Sequence, residues 1–252
     1  MTLGSQDLHV HTTFSDGDLS LEEVVSLAAA RGVQVGIADH ISYRTPDRMV
    51  SSLAAVGRYL DALEAAPVLV AGEFCWCDRM YDELPPEVLA RFDYRIGSNH
   101  GFALPDGTWA SPWWKTLPGA WTRRAEEVME IMIHNLCDMI RTMDVQIAAH
   151  LTLTPPALLT LEPDALAWWT VEREDRIVDA LVESGVALEI SSRYRLPHQG
   201  LLRKAKQAGA RFSLGSDAHH RAQVANLEWA IEAAEEAGIT GADLFIPETS
   251  RR

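Results

Sequence analysis

Short runs of apolar and β-branched residues alternate along the chain with longer stretches in which apolar residues recur every three or four positions. The short runs are typical of buried parallel strands, and the three-to-four spacing is typical of amphipathic helices. We predict strands at Gln6–His11, Val33–Ala38, Val68–Glu73, Tyr94–Asn99, Val145–Ala149, Ala187–Ile190 and Phe212–Ser216. Between them we predict helices near Leu21–Arg31, Asp47–Ala66, Trp121–Met143, Glu172–Ser184, Gly200–Ala208 and Ala222–Ala237.

Local signals support several of these boundaries. Ser20 and Glu23 have the spacing of a capping box, which predicts a helix start at Leu21. Glycines stand where four of the predicted helices should end, namely Gly32, Gly185, Gly209 and Gly238.

Seven β–α repeats predict parallel strands with crossover helices, either as a barrel or as an open doubly wound sheet. Polar residues decide between the two, because they fall at the carboxyl ends of seven different strands: His11, Asp39-His40, Glu73, His100, His150, Glu189 and Asp217. In a barrel these ends converge on one rim, whereas an open sheet would spread them along a line. We therefore predict an α/β barrel, and the length suits a single domain over residues 1–252.

Composition and charge limit the classes of partner. With 47% hydrophobic residues and no long apolar run, the chain is expected to be soluble and without a membrane partner. The formal net charge of −14 argues against a stable nucleic-acid partner. Small anionic substrates stay possible, since bound metal ions would dominate the local charge. The oligomeric state stays open.

The three cysteines do not form a disulfide framework, and the first residues lack a secretory pattern. Both features lead us to expect a cytoplasmic protein. Cys75 and Cys77 form a Cys-x-Cys that could be half of a thiolate metal site, although ordinary strand-end cysteines are the favoured interpretation.

The densest chemistry opens the chain, in the segment from Asp7 to Gly17. Side chains two apart on a strand share a face, so His9 and His11 point together, and Asp16 follows on a turn. Each histidine alone would be interpreted as a structural residue. Their repeated placement at strand ends instead predicts a metal cluster that hydrolyses its substrate.

The order of the motifs resembles the PHP family, named for its polymerase and histidinol phosphatase members. The resemblance covers Asp7 to His219, and its motifs are Asp7-Leu-His9-Val-His11-Thr, Ser15-Asp16-Gly17, Ala38-Asp39-His40, Gly72-Glu73, Gly97-Ser98-Asn99-His100, Ala149-His150, Leu188-Glu189-Ile190-Ser191 and Gly215-Ser216-Asp217-Ala218-His219. It implies a distorted, TIM-like (β/α)7 barrel.

The resemblance also implies three divalent metal ions. The first would be held by His9, His11, Glu73 and Asp217; the second shares Glu73 and adds His100 and His150; the third takes Asp16, His40 and His219. Mixed imidazole and carboxylate ligands suit manganese, iron or zinc. Asp7, Asp39 and Glu189 are candidates to orient imidazoles, and Asp7 could instead be a buried acceptor of backbone hydrogen bonds.

The implied activity is phosphoester hydrolysis by a metal-bridging hydroxide, most simply a phosphatase of histidinol phosphate, a sugar phosphate or a nucleoside monophosphate. Asp39 or His219 could protonate the leaving group. Substrate phosphate could be bound by cations near the strand ends: Arg193, Arg195, Arg44 and Lys115. The four tryptophans between Trp109 and Trp121 could form a lid, although packing is the favoured role.

Three other functions stay open. A phosphodiesterase or 3'–5' exonuclease acting on short oligonucleotides would use the same cluster. An amidohydrolase would share the first-strand His-x-His, but it would need an eighth strand. A non-catalytic metal-binding module would keep the fold and lack turnover.

Overall fold

The computed structural model describes residues 2–43, 50–117 and 119–248. Parallel strands run through the centre of the molecule, and each of the seven predicted strands overlaps an observed one. The strands are β1 (Gln6–Val10), β2 (Gln34–Ile37), β3 (His40–Ile41), β4 (Leu69–Val70), β5 (Glu73–Cys75), β6 (Ile96–Ser98), β7 (Phe102–Ala103), β8 (Trp109–Ala110), β9 (Ile147–Ala148), β10 (Ala187–Ser191) and β11 (Phe212–Gly215).

The helices are α1 (Leu21–Arg31), α2 (Leu53–Glu64), α3 (Pro86–Leu89), α4 (Gly119–Thr122), α5 (Ala125–Thr142), α6 (Pro156–Leu159), α7 (Ala165–Trp168), α8 (Val171–Ser184), α9 (Gln199–Ala208) and α10 (Glu228–Glu236). The capping box at Ser20 is present, and Gly32, Gly185 and Gly209 have the left-handed backbone of helix ends. The last helix begins at Glu228, later than the predicted Ala222, and the long helix predicted from Trp121 is divided into α4 and α5.

The strands form two parallel sheets and a small hairpin. One sheet has the order β1-β2-β4, the other has the order β11-β10-β9-β6-β5-β3, and β7 pairs with β8. Only two residues separate β2 from β3, and only two separate β4 from β5. Two nearly continuous extended segments therefore begin in the first sheet and end in the second. The parallel α/β fold is confirmed, whereas the closed barrel stays a prediction.

Tyr59 of α2 lies where these two extended segments are interrupted between the sheets. The Tyr59 hydroxyl, fully buried, lies 2.8 Å from the carbonyl of Ala71 and 3.1 Å from that of Ile37, and it accepts a hydrogen bond from the Asp39 amide. It therefore gives a partner to the Asp39 amide and the Ala71 carbonyl, while the Ile37 carbonyl also accepts a hydrogen bond from the Ala71 amide. This bend places His40 and Glu73 side by side in the register of β3 and β5.

The tryptophan segment divides into packing and exposed parts. Trp121 is buried and donates a hydrogen bond to Asp106, while Trp113 is 37% exposed. Within the described ranges, none of the helices has the length and apolar character needed to cross a bilayer.

Candidate metal centre

Six imidazoles and three carboxylates meet where the strands end. Each lies within 4 Å of another member, and most of the set is buried. We call this set the metal-ligand cluster, and its members are His9, His11, Asp16, His40, Glu73, His100, His150, Asp217 and His219. The structure thus brings together all nine side chains that the PHP resemblance implies as metal ligands.

Two members have unusual backbone conformations. His150 has a φ of 34° and Asp217 has a φ of 49°, in the left-handed region that costs energy for residues with a side chain. Each lies just beyond a short strand, with Ala149 between β9 and His150 and Ser216 between β11 and Asp217. Such strain persists only where the surrounding structure holds it in place, and it is concentrated at functional sites.

Glu73 lies at the centre of the cluster. Its Oε1 is 3.1 Å from Nε2 of His100 and 3.1 Å from Nε2 of His150. Its Oε2 is 2.6 Å from Nδ1 of His40 and 3.6 Å from Nε2 of His9. A carboxylate with imidazoles at both oxygens has the arrangement needed to bridge two cations.

Asp16 gathers a second group on the more open side, where its side chain is 47% exposed. Its Oδ1 lies 3.4 Å from Nε2 of His40, 3.2 Å from Nε2 of His219 and 3.8 Å from Nδ1 of His11. His11 also has its Nε2 3.3 Å from Asp217. The ring of His11 therefore stands between the first and third groups, rather than belonging to the first alone.

Charges inside the cluster are strongly coupled. Burial, together with the neighbouring His40, lowers the pKa of His11 to about 3, which leaves the neutral form that binds metals. Burial also disfavours a charge on His40, but the Glu73 carboxylate outweighs it and raises the pKa of His40 to about 10. The imidazoles of His100, His40 and His9 in turn hold the pKa of Glu73 well below its usual range, against the opposing effect of burial.

The donor set fits divalent metal ions. Oε2 of Glu73 and Nδ1 of His40 are buried and face each other, but neither has a well-directed hydrogen bond. Compact groups able to hold an ion include His11-Asp16-His40-His219, His9-His11-Glu73 and His40-Glu73-His100. Imidazole and carboxylate donors suit zinc, iron or manganese.

The three acids predicted to orient imidazoles have different roles. Glu189 contacts an imidazole, since its Oε1 lies 2.6 Å from Nδ1 of His9. Asp7 accepts hydrogen bonds from the amides of Ser216 and Ala225, which matches the alternative of a buried backbone acceptor.

Both oxygens of Asp39 face the loop at residues 12–15. Its two oxygens accept hydrogen bonds from the amides and hydroxyls of Thr12 and Ser15. The carboxylate therefore holds the loop that carries Asp16. This geometry disfavours the predicted role of Asp39 as proton source, because its acceptor positions are occupied.

The predicted substrate-binding cations are placed differently from one another. Nη1 of Arg193 lies 3.2 Å from Asp217 Oδ1 and 2.5 Å from Nδ1 of His219, so this guanidinium reaches the cluster. Arg193 and Arg195 also line a pocket of about 290 Å³. Lys115 is exposed, and no described contact joins it to the cluster. Arg44 lies outside the described residues.

Two aromatic residues beside the cluster were not assigned there from the sequence. The ring of Trp113 is 5.3 Å from that of His100 and 5.8 Å from that of His150, and Tyr194 lies 5.7 Å from His150. A signal for Tyr194 was its position between Arg193 and Arg195. The sequence does not indicate that Trp113 in particular contacts the cluster, because its segment contains four tryptophans.

A family model described as the PHP domain matches residues 7–193, which is most of the chain. The chain belongs to the PHP domain family. The family supports metal-dependent phosphoester hydrolysis as the type of reaction and leaves the substrate open. A search of curated protein sequences gave no match.

One of two similar solved structures shares the fold over nearly the whole chain. A histidinol phosphate phosphatase from Lactococcus lactis subsp. lactis, solved with zinc, L-histidinol and phosphate, is 19% identical, with 94% of each chain covered and a TM-score of 0.66. A two-domain protein from Bacteroides vulgatus, described as containing a predicted PHP-like metal-dependent phosphoesterase, is 16% identical. That match covers 88% of this chain and 55% of the other, with a TM-score of 0.37.

Proposed function

We propose that this protein is a metal-dependent phosphomonoesterase that acts on a small molecule. The observation that carries the proposal is the meeting of nine imidazole and carboxylate side chains around Glu73, in a chain of the PHP domain family. Histidinol phosphate is one candidate substrate, and sugar phosphates and nucleoside monophosphates are others. The complex of the Lactococcus protein with L-histidinol and phosphate supports a substrate of this size.

In the proposal the two sheets form the wall of a distorted seven-stranded barrel. The support is a parallel bridge between Val10 and Ala218, which links the end of β1 to the residues after β11. The cluster would hold three divalent ions of manganese, iron or zinc. Such ions, when bound, neutralise phosphate oxygens and make a hydroxide nucleophile available at neutral pH.

The side chains of this protein would position the phosphate and move protons. Arg193 is the favoured phosphate-binding residue, because its guanidinium reaches Asp217 and His219 and can present further N–H groups to a substrate oxygen. His219 is the favoured proton source for the leaving group, since it lies on the side where Asp16 is open to solvent. Arg195 would act from the adjoining pocket.

The other functions are ranked by the same observations. The match to the PHP domain favours phosphoester over amide hydrolysis. A phosphodiesterase acting on short oligonucleotides is the nearest alternative, because it would use the same cluster. A non-catalytic module is disfavoured by the complete set of nine ligands.

The test combines metal analysis with substrate panels. Protein purified without added metal should contain divalent ions, and it should release inorganic phosphate from small monoesters. Glu73→Gln should lose both properties, with Glu183→Gln, on the exposed face of α8, as the matched control. Nucleotide release from short oligomers without phosphate release from monoesters would support the diesterase. Turnover by metal-free protein would contradict the proposal.

A further inference from the structure

A pair of thiols lies immediately beside the metal-ligand cluster. Cys75 ends β5 two residues after Glu73, and Cys77 follows in the next turn. Their Sγ atoms are only 2.8 Å apart, and both cysteines are free thiols. Cys75 is buried, whereas Cys77 is partly exposed. Dissolved reagents can therefore reach Cys77, and Cys77 in turn contacts the buried Cys75.

The pair is connected to the cluster through β5. Cys75 lies two residues after Glu73 on this strand, and Oε1 of Glu73 is 3.1 Å from Nε2 of His100. Among the described residues, Cys75 and Cys77 do not join a third donor in a group compact enough for a metal ion. A thiolate metal site is therefore disfavoured, and the contact between the two sulfur atoms is the feature that distinguishes this pair from ordinary strand-end cysteines.

We propose that Cys75 and Cys77 are a reversible oxidation site whose substrate is a small-molecule disulfide. Cys77 attacks one sulfur of the reagent, which forms a mixed disulfide and releases one reagent thiol. Cys75 then displaces the second reagent thiol and closes a Cys75–Cys77 disulfide. The two cysteine sulfurs are oxidised, the reagent disulfide is reduced to two thiols, and these carry the two protons.

Disulfide closure would change the metal centre. A disulfide bond is about 2.05 Å long, so roughly 0.8 Å of sulfur movement is needed from the observed separation. Closure removes the contact between the two thiol groups and pulls on the end of β5, two residues from Glu73. Loss of a residue that supports a metal ligand typically costs about tenfold or more in metal affinity or activity.

Thiol counting tests the site directly. Metal-loaded protein is incubated with oxidised glutathione, and free thiols are counted after denaturation. The count should fall from three to one, and peptide mass spectrometry should identify a Cys75–Cys77 disulfide that dithiothreitol reverses. Cys137→Ser is the matched control, because Cys137 is buried in α5 with its sulfur 3.5 Å from the Arg176 carbonyl, and the count of this variant should fall from two to zero. In the Cys75→Ser variant the reaction should stop at a mixed disulfide between Cys77 and glutathione.

The results separate this inference from the proposed function. Persistence of three thiols, or an adduct on Cys77 that never resolves in the unmodified protein, would overturn the oxidation site. A disulfide that forms without lowering metal content would overturn its coupling to the centre. The inference rests on the proposed function only where phosphate release is the readout. A protein that binds metal but lacks phosphatase activity would still give a decisive thiol count and metal content.

Discussion

Glu189 is a side chain whose replacement should weaken metal binding without removing a ligand. Its Oε1 lies 2.6 Å from Nδ1 of His9, and its Oε2 accepts a hydrogen bond of 2.8 Å from the amide of His150. Gln has the same shape, but it presents one acceptor and one donor. One of the two buried partners would then face an N–H group. The side chain has little room to rotate, since even a Cβ at Gly215 would lie 2.4 Å from Oε1.

The expected magnitude follows from one lost hydrogen bond to a charged group. Such a bond contributes about 1.5–3 kcal/mol, and about 1.4 kcal/mol corresponds to a tenfold change in an equilibrium constant. Glu189→Gln should therefore raise the apparent dissociation constant of the metal about 10- to 100-fold. The Nε2 atom of His9 still faces Glu73, so saturating metal should restore most of the activity.

The assay is a metal titration of chelated protein, followed by phosphate release from a small monoester. Glu183→Gln is the matched control, because Glu183 is 62% exposed and pairs only with Arg141 among the described ion pairs. It should retain the metal dependence of the unmodified protein. An unchanged metal dependence in Glu189→Gln would refute the argument that this carboxylate orients His9.

Three further predictions concern other parts of the site. Arg193→Ala should raise KM for a small monoester about tenfold or more, measured by phosphate release, with Arg193→Lys intermediate. Asp39→Asn should lower the free energy of unfolding in urea by about 1–3 kcal/mol and leave the pH–rate profile unchanged, because Asp39 only holds a loop. In chelated protein, burial opposes protonation of His40, but Glu73 raises its pKa from 6.5 to about 10. The interaction of protonated His40 with Glu73 therefore stabilises the folded state fully below pH 6.5, and this stabilisation is lost as the pH rises toward 10. The free energy of unfolding in urea should decrease over that range.

Much of the fold was predictable, because periodicity and helix signals are local. The runs of apolar residues located all seven strands, and the capping box at Ser20 located the start of α1. The nine cluster residues could be named because parallel strands place their carboxyl ends together, and the PHP resemblance assigned the motifs. The predicted start of the last helix at Ala222 was wrong, because α10 begins at Glu228. The residues from Ala222 to Leu227 have a helical composition, but they form turns in which the Ala225 amide donates a hydrogen bond to Asp7.

Contacts across the chain decided the rest. Asp39 and His40 are neighbours in sequence, yet one binds the 12–15 loop and the other enters the cluster. The requirement for glycine at position 36 also depends on a distant residue, because a Cβ there would lie 1.7 Å from the Tyr94 hydroxyl. The residues next to Gly36 in the sequence do not indicate this contact.

The sequence by itself determined which residue types stand at each strand end, because alternation and spacing are properties of neighbouring residues. Only the tertiary structure decided which atoms of those residues face one another. A hydrogen bond depends on distances and angles between groups far apart in the chain, and packing of the whole molecule sets these.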